Sequence, residues 1–96
     1  MKKYEVPEAL CSKLRLIVIS CLVSQNMFFS ELKEKTKATD GNLSIQLKKL
    51  KEWGYVEAQK MLKDNKAVTQ YKLTEQGLDE FEEYVRFLEE VLMNRE

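Results

Sequence analysis

The 96-residue sequence contains no histidine. That removes the commonest general base and the commonest metal ligand together. Its two cysteines, Cys11 and Cys21, are too few for a disulfide framework. Ten positions apart on one helix, they would stand about 15 Å from each other along the axis, too far to bridge. Both thiols read as small core residues, and a reducing, cytoplasmic setting is the expectation. There is no Gly-rich phosphate loop, no CxxC and no nucleophile with a base beside it in sequence. Neither an enzyme nor a cofactor or metal site is therefore expected. The longest apolar run, Leu16–Ile19, is far too short to span a bilayer. No charged-then-apolar opening with a cleavage site suggests a signal peptide. Internal repeats, low-complexity tracts and linkers are also missing, so one domain over residues 1–96 is expected.

Net charge is zero as well, which by itself does not favour a nucleic-acid partner. Its distribution does. Residues 1–32 carry net +1, residues 33–72 carry ten lysines against five acids, and residues 73–96 carry net −6. A basic middle is the electrostatic footprint that phosphates need; mere solvation of a charged face is the alternative.

What is present is organised around residues 30–54, SELKEKTKATDGNLSIQLKKLKEWG. A short helix over 30–37 is expected, with Ser30 as its cap and Glu31 complementing the positive end of the dipole. A second helix over 40–53 follows, capped by Thr39, with Asp40 in its first turn and Gly54 as its stop. Leu43, Leu47 and Leu50 recur at i, i+4 and i+7 and point to a core. At roughly 100° per residue, Gly41, Ile45, Lys48, Lys49 and Glu52 fall on the other side, flanked by Asn42 and Ser44. Two helices joined by a tight turn, the second with a basic outer face, make a helix-turn-helix arrangement; an ordinary solvated helix of a small bundle is the plain alternative.

Around this centre the chain reads in order. Residues 1–11 form an N-terminal arm, with Pro7 and Glu8 suited to a first helical turn. Residues 12–24 form a largely buried helix on which Leu14, Ile17, Val18, Cys21 and Leu22 share a face, widened by Leu16 and Ile19. Met27, Phe28 and Phe29 read either as a very short strand or as a staple at the helix entry. Residues 55–73 switch to period two and predict a hairpin, Tyr55–Leu62 and Val68–Leu73, turning at Lys63–Lys66. Its lysines are Lys60, Lys63, Lys66 and Lys72, placed at the tip and along one side. Thr74 then caps a last helix over 75–94. Its stripe of Leu78, Phe81, Tyr84, Val85, Leu88, Val91 and Leu92 is wider than one small core needs, which suggests a helix from a second subunit; full use within one subunit is the other reading. The fold class is thus mainly α with a small β-hairpin (α+β): a helix-turn-helix extended by a wing and a long C-terminal helix.

Three stretches carry a resemblance: FSEL (29–32), TDGNLSIQLKKLKEWGYV (39–56) and YKLTEQG (71–77). In this order and spacing the chain resembles the small winged-helix transcriptional regulators related to the MarR and ArsR groups, over about Leu14 to Leu92. The resemblance implies a cytoplasmic homodimer on a palindromic operator in double-stranded DNA, with helix 40–53 in the major groove and the wing on the backbone or minor groove. Lys37, Lys48, Lys49, Lys63 and Lys66 would meet phosphates, and Thr39, Gly41, Asn42, Ser44 and Ile45 would approach bases or backbone. Gln46 could read a base edge but lies nearer the core side. Tyr4, Leu10, Tyr84, Phe87, Leu88, Val91 and Leu92 would form the dimer interface. No metal-ligand cluster or effector domain of the kind that sensing relatives use is evident. The wing carries lysines only, which favours phosphate contact over arginine-type minor-groove reading. A protein-binding winged helix with no DNA activity is the rival reading; lysines converging on one surface would favour DNA, and interleaved acids would favour protein.

Overall fold

The computed structural model describes residues 4–94; the Lys2–Lys3 part of the arm lies outside the described residues. Pro7 precedes a 3-10 turn, Glu8–Leu10, which buries Ala9 and Leu10. Ser12 caps the first helix, α1 (Lys13–Ser24), its hydroxyl accepting the Arg15 N–H at 3.3 Å. The buried positions of α1 are Arg15, Val18, Ile19 and Leu22. Of the predicted apolar face, Val18, Leu22 and the widening Ile19 are buried, while Leu14, Leu16 and Cys21 pack half-buried against the core and Ile17 is half-buried; the unexpected member of the core side is an arginine. Cys11 is exposed rather than core, because it follows the 3-10 turn instead of entering α1; its thiol donates to the Pro7 carbonyl at 3.3 Å.

Met27–Phe28 is a strand, β1, and α2 (Phe29–Thr36) follows it directly. Ser30 is not the cap of α2. The helix starts a residue before it, and the Glu31 carboxylate accepts the Phe28 N–H at 2.8 Å. An ionised carboxylate is a stronger acceptor than a hydroxyl. Helix α3 (Asp40–Glu52) is capped by Thr39, whose hydroxyl accepts the Asn42 N–H at 3.2 Å. Gly54, at φ 82°, ends it: Gly54 N–H bonds the Lys51 carbonyl and Tyr55 N–H the Leu50 carbonyl. That pair is the Schellman closure, and it requires the left-handed conformation glycine adopts without strain.

The hairpin is longer at its tip than the residue pattern predicts. Strands β2 (Val56–Lys63) and β3 (Lys66–Leu73) turn on Asp64 and Asn65 alone, at φ 53° and 65°. Two left-handed central residues make a type I′ turn, whose twist matches that of the strands, and Asp and Asn bear this conformation best. The sheet order is β1-β3-β2, with Met27 opposite Tyr71 and Phe28 opposite Gln70. Strand alternation then puts Lys63, Lys66 and Lys72 on one face and Lys60 on the other, with Ala58, Tyr71 and Val56. The lysines do not lie along a single side.

The core gathers Leu10, Val18, Ile19, Leu22, Leu32, Leu43, Leu47, Leu50, Tyr55 and Val56, with Met27 closing it beside the sheet. Helix α4 (Glu75–Met93) docks on it at one end. Thr74 caps the helix, accepting the Gly77 N–H at 2.9 Å and donating to the Gly54 carbonyl at 2.6 Å. Gln76 Nε2 donates to the Trp53 carbonyl at 3.2 Å and to Glu80 at 3.0 Å, and the Tyr55 hydroxyl donates to the same Glu80 carboxylate. The end of α3 and the start of α4 are one joint. No helix among the described residues is long and apolar enough to cross a membrane.

Two outcomes follow from this joint. A Cβ on Gly77 would lie 2.5 Å from the Tyr55 carbonyl oxygen and 2.9 Å from Leu73, so Gly77→Ala should destabilise the fold by roughly 1–3 kcal/mol in urea denaturation. Burial first, then the Glu80 carboxylate, raise the Tyr55 phenol above its usual 10; burial raises Tyr71 too. The fold thus favours the neutral phenol. The stability this supplies is complete below the unfolded value near 10 and is lost as pH climbs through the higher folded value. Thermal melts should therefore fall above pH 10, and less steeply in Tyr55→Phe.

Candidate nucleic-acid interface

The outer side of α3 is open. Gly41, Asn42, Ser44, Ile45, Lys48 and Lys49 are all exposed. Ile45 shows 56% of its surface, and a Cβ on Gly41 would meet no atom within 4 Å. These residues face outward because Leu43, Leu47 and Leu50 fix the rotation of the helix from the other side. Thr39 caps the helix and remains exposed. The carboxylate of Asp40 beside it would repel a phosphate, but Lys33 of α2 pairs with it at 2.7 Å and offsets the charge. The Asn42 N–H belongs to the Thr39 cap and is not offered outward.

The lysines are placed by three different elements. Lys37 follows α2 in the left-handed region, at φ 60°, and forms the turn into α3. Lys48 and Lys49 ride on the middle of α3. Lys63 and Lys66 stand opposite each other at the wing tip, and the Lys63 ammonium lies 4.5 Å from the Phe28 ring centre, a cation–π contact that ties the tip back to β1. Lys60 points from the opposite face, and on the Lys63 face Glu57 stands directly across from Lys72.

Two residues act here without a strong local signal. Arg15 is 6% exposed. It donates to the Ala9 and Glu8 carbonyls at 3.0 Å each and to Gln46 Oε1 at 2.6 Å, and its guanidinium lies 5.2 Å from the Trp53 ring centre. Gln46 is half-buried and takes that bond, with its amide nitrogen 3.4 Å from Asn42 Oδ1. The available signal is the spacing of Arg15 with Val18, Ile19 and Leu22, which puts a lone charge on the buried stripe.

Of the residues expected at a dimer interface, Leu10 is 2% exposed and closes the core of its own chain; the 3-10 turn folds it inward, so it has no surface to offer. Tyr4 stacks on Phe87 of the same chain, ring centres 4.7 Å apart. Tyr84 is half-buried against the core. Leu88, Val91 and Leu92 are exposed, at 42%, 53% and 60%.

A helix-turn-helix, a three-stranded sheet with a hairpin wing, and a long closing helix define the winged-helix class. The chain matches the family described as winged helix DNA-binding domain over residues 14–92, and it belongs to that family. A curated relative, the uncharacterized protein MJ0432 of Methanocaldococcus jannaschii, is 44% identical over 57 residues, 59% of this chain; the chain spans only 62% of that relative's length. Among solved structures, a MarR-family transcriptional regulator of Enterococcus faecalis superposes with a TM-score of 0.79 at 16% identity, over 88% of this chain and 77% of that one. Diamide-treated YodB of Bacillus subtilis gives 0.78 at 22% identity, over 92% and 87%. Bacillus subtilis PadR, solved in complex with operator DNA, gives 0.66 at 18% identity, over 72% and 44%. The fold is thus shared with transcriptional regulators.

Lysine in the left-handed region carries a steric cost. Lys37→Gly should therefore raise stability by about 1 kcal/mol in chemical denaturation. If Lys37 meets a phosphate, the same change should flatten the salt dependence of DNA binding by about one unit.

Proposed function

We propose that this chain is a dimeric transcriptional regulator that binds a palindromic operator in double-stranded DNA. The observation that carries the reading is the open outer face of α3: Gly41, Asn42, Ser44, Ile45, Lys48 and Lys49, all exposed, on the helix that winged-helix proteins present to the major groove. In this reading Asn42, Ser44 and Ile45 meet base edges. Gly41 allows close backbone approach, and Thr39 bonds the backbone beside it. Lys37, Lys48 and Lys49 meet phosphates, and Lys63 and Lys66 carry the wing onto the duplex. The operator-bound PadR structure, of the same fold, supports a DNA partner. A second copy covers Leu88, Val91 and Leu92 on α4, with Tyr4, Tyr84 and Phe87 at the margin.

One observation favours a second reading, a protein-binding winged helix. Lys60 leaves the lysine face, and Glu57 interleaves with Lys72 on it. The exposed lysines of α3, away from that acid, weigh toward DNA.

Binding to a random duplex at two salt concentrations, with light scattering, decides between them. A dimer that binds in the micromolar range and weakens steeply with salt is expected; no binding at low salt would favour the protein-binding module. On a selected operator, Lys48→Ala should weaken binding to all sequences and reduce the salt slope by about one. Asn42→Ala should cost roughly 1–3 kcal/mol at a single base position. Equal losses on every sequence would remove Asn42 from base reading.

A further inference from the structure

Arg15, Gln46 and Asn42 form a chain of hydrogen bonds running from the core to the outer face of α3. Its polarity is dictated at the buried end. An arginine side chain has donors only, so the Gln46 atom 2.6 Å from Arg15 Nη1 must be the carbonyl oxygen. The Gln46 amide nitrogen is then the atom that faces Asn42, and a donor there needs an acceptor opposite, which is Asn42 Oδ1 at 3.4 Å. The buried end cannot easily turn over. Arg15 is held at the same time by the Glu8 and Ala9 carbonyls and by Trp53, with 6% of its surface exposed. Asn42 itself is exposed, in the first turn of α3.

From this geometry we infer that Arg15 and Gln46 are positioning residues that fix which end of the Asn42 amide is offered to DNA. The inference rests on the DNA-binding reading above. With Oδ1 turned toward Gln46, the amide NH2 is the end offered outward. An asparagine with both ends free pairs bidentately with adenine, accepting from N6 and donating to N7. One offering only donors seeks acceptors: O6 or N7 of guanine, O4 of thymine, or N7 of adenine alone. Asn42 therefore accepts a base that shows a major-groove acceptor on the strand it meets, loses the bidentate preference for A, and disfavours C, which shows only a donor. Arg15 touches no DNA in this scheme; it acts two side chains away.

Gln46→Glu tests this without dismantling the core. The new carboxylate still accepts from Arg15, now as an ion pair, but it is acceptor-only toward Asn42. The Asn42 amide must then turn over, donate to the carboxylate, and present Oδ1 outward. Operator selection from a random duplex pool should show one position at which wild type prefers G or T over C and Gln46→Glu prefers C over G or T. The discrimination should be on the order of tenfold in each direction. The added charge lowers affinity for all sequences alike and does not move that preference. Gln46→Leu removes the link without reversing it, and should flatten the preference at the same position.

A second readout needs no DNA. In the amide region of the NMR spectrum, the Asn42 side-chain NH2 should exchange freely with water in wild type and become protected in Gln46→Glu. An unchanged base preference in Gln46→Glu, or an Asn42 NH2 as exchangeable as before, would overturn the relay. Wild-type protein that selects no duplex would overturn the DNA reading and with it any role in base choice; the NMR result would then separate that failure from a failure of the relay geometry.

Discussion

A buried guanidinium ties the N-terminal segment and α1 to the second helix of the helix-turn-helix. Arg15 sits among Val18, Ile19 and Leu22 on the core side of α1, where an unpartnered charge would cost several kcal/mol. Here three oxygens and an aromatic face surround it. Two of those oxygens are carbonyls of the 3-10 turn, one belongs to the middle of α3, and the ring belongs to the residue that ends α3. The N-terminal segment, α1 and α3 are thereby fixed to one another through a single side chain. The planar fork of arginine is what allows this; a lysine ammonium has neither the span nor the flat face.

Much of the fold was legible in the sequence because the decisive chemistry is local. Leu43, Leu47 and Leu50 set the rotation of α3, Thr39 and Thr74 cap their helices with their own hydroxyls, and Gly54 closes α3 by a conformation few other residues adopt. What was not legible depended on competition or on distance. Ser30 and Glu31 both offer an acceptor to the start of α2, and only the geometry decides for the carboxylate. Leu10 reads as a free apolar residue until the 3-10 turn folds it inward. Arg15 looks like a helix-surface charge until its partners arrive from residues 8, 9, 46 and 53. The separation of Lys60 from the other wing lysines was within reach of strand alternation alone, once the two-residue turn at Asp64–Asn65 sets the register.

The candidate interface divides in the same way. Its exposed members on α3 are those that the helical period places away from the leucines, so their position follows directly from sequence. The orientation of each side chain does not. Asn42 is visible as an exposed amide in any helical projection, but the end of it that faces outward is set by Arg15, 27 positions earlier in the numbering. Near the far end of α4, Val91, Leu92 and Met93 stay exposed while Phe81 and Tyr84 pack against the core; the apolar stripe is continuous, yet only its first half meets the protein's own core.

The wing has one more consequence. In the order β1-β3-β2, strand β2 is the outer strand, eight residues long and lying along the hairpin to its tip. An open strand edge of that length is a template on which another copy of the chain could add, strand upon strand, toward insoluble aggregate. Lys60 and Lys63 project from its two faces, and Lys63 meets a second lysine, Lys66, across the pair. Like charges brought into stacked register repel strongly, and each added chain would bring another set. The positive charge that suits the wing to a polyanion also guards its edge against self-association.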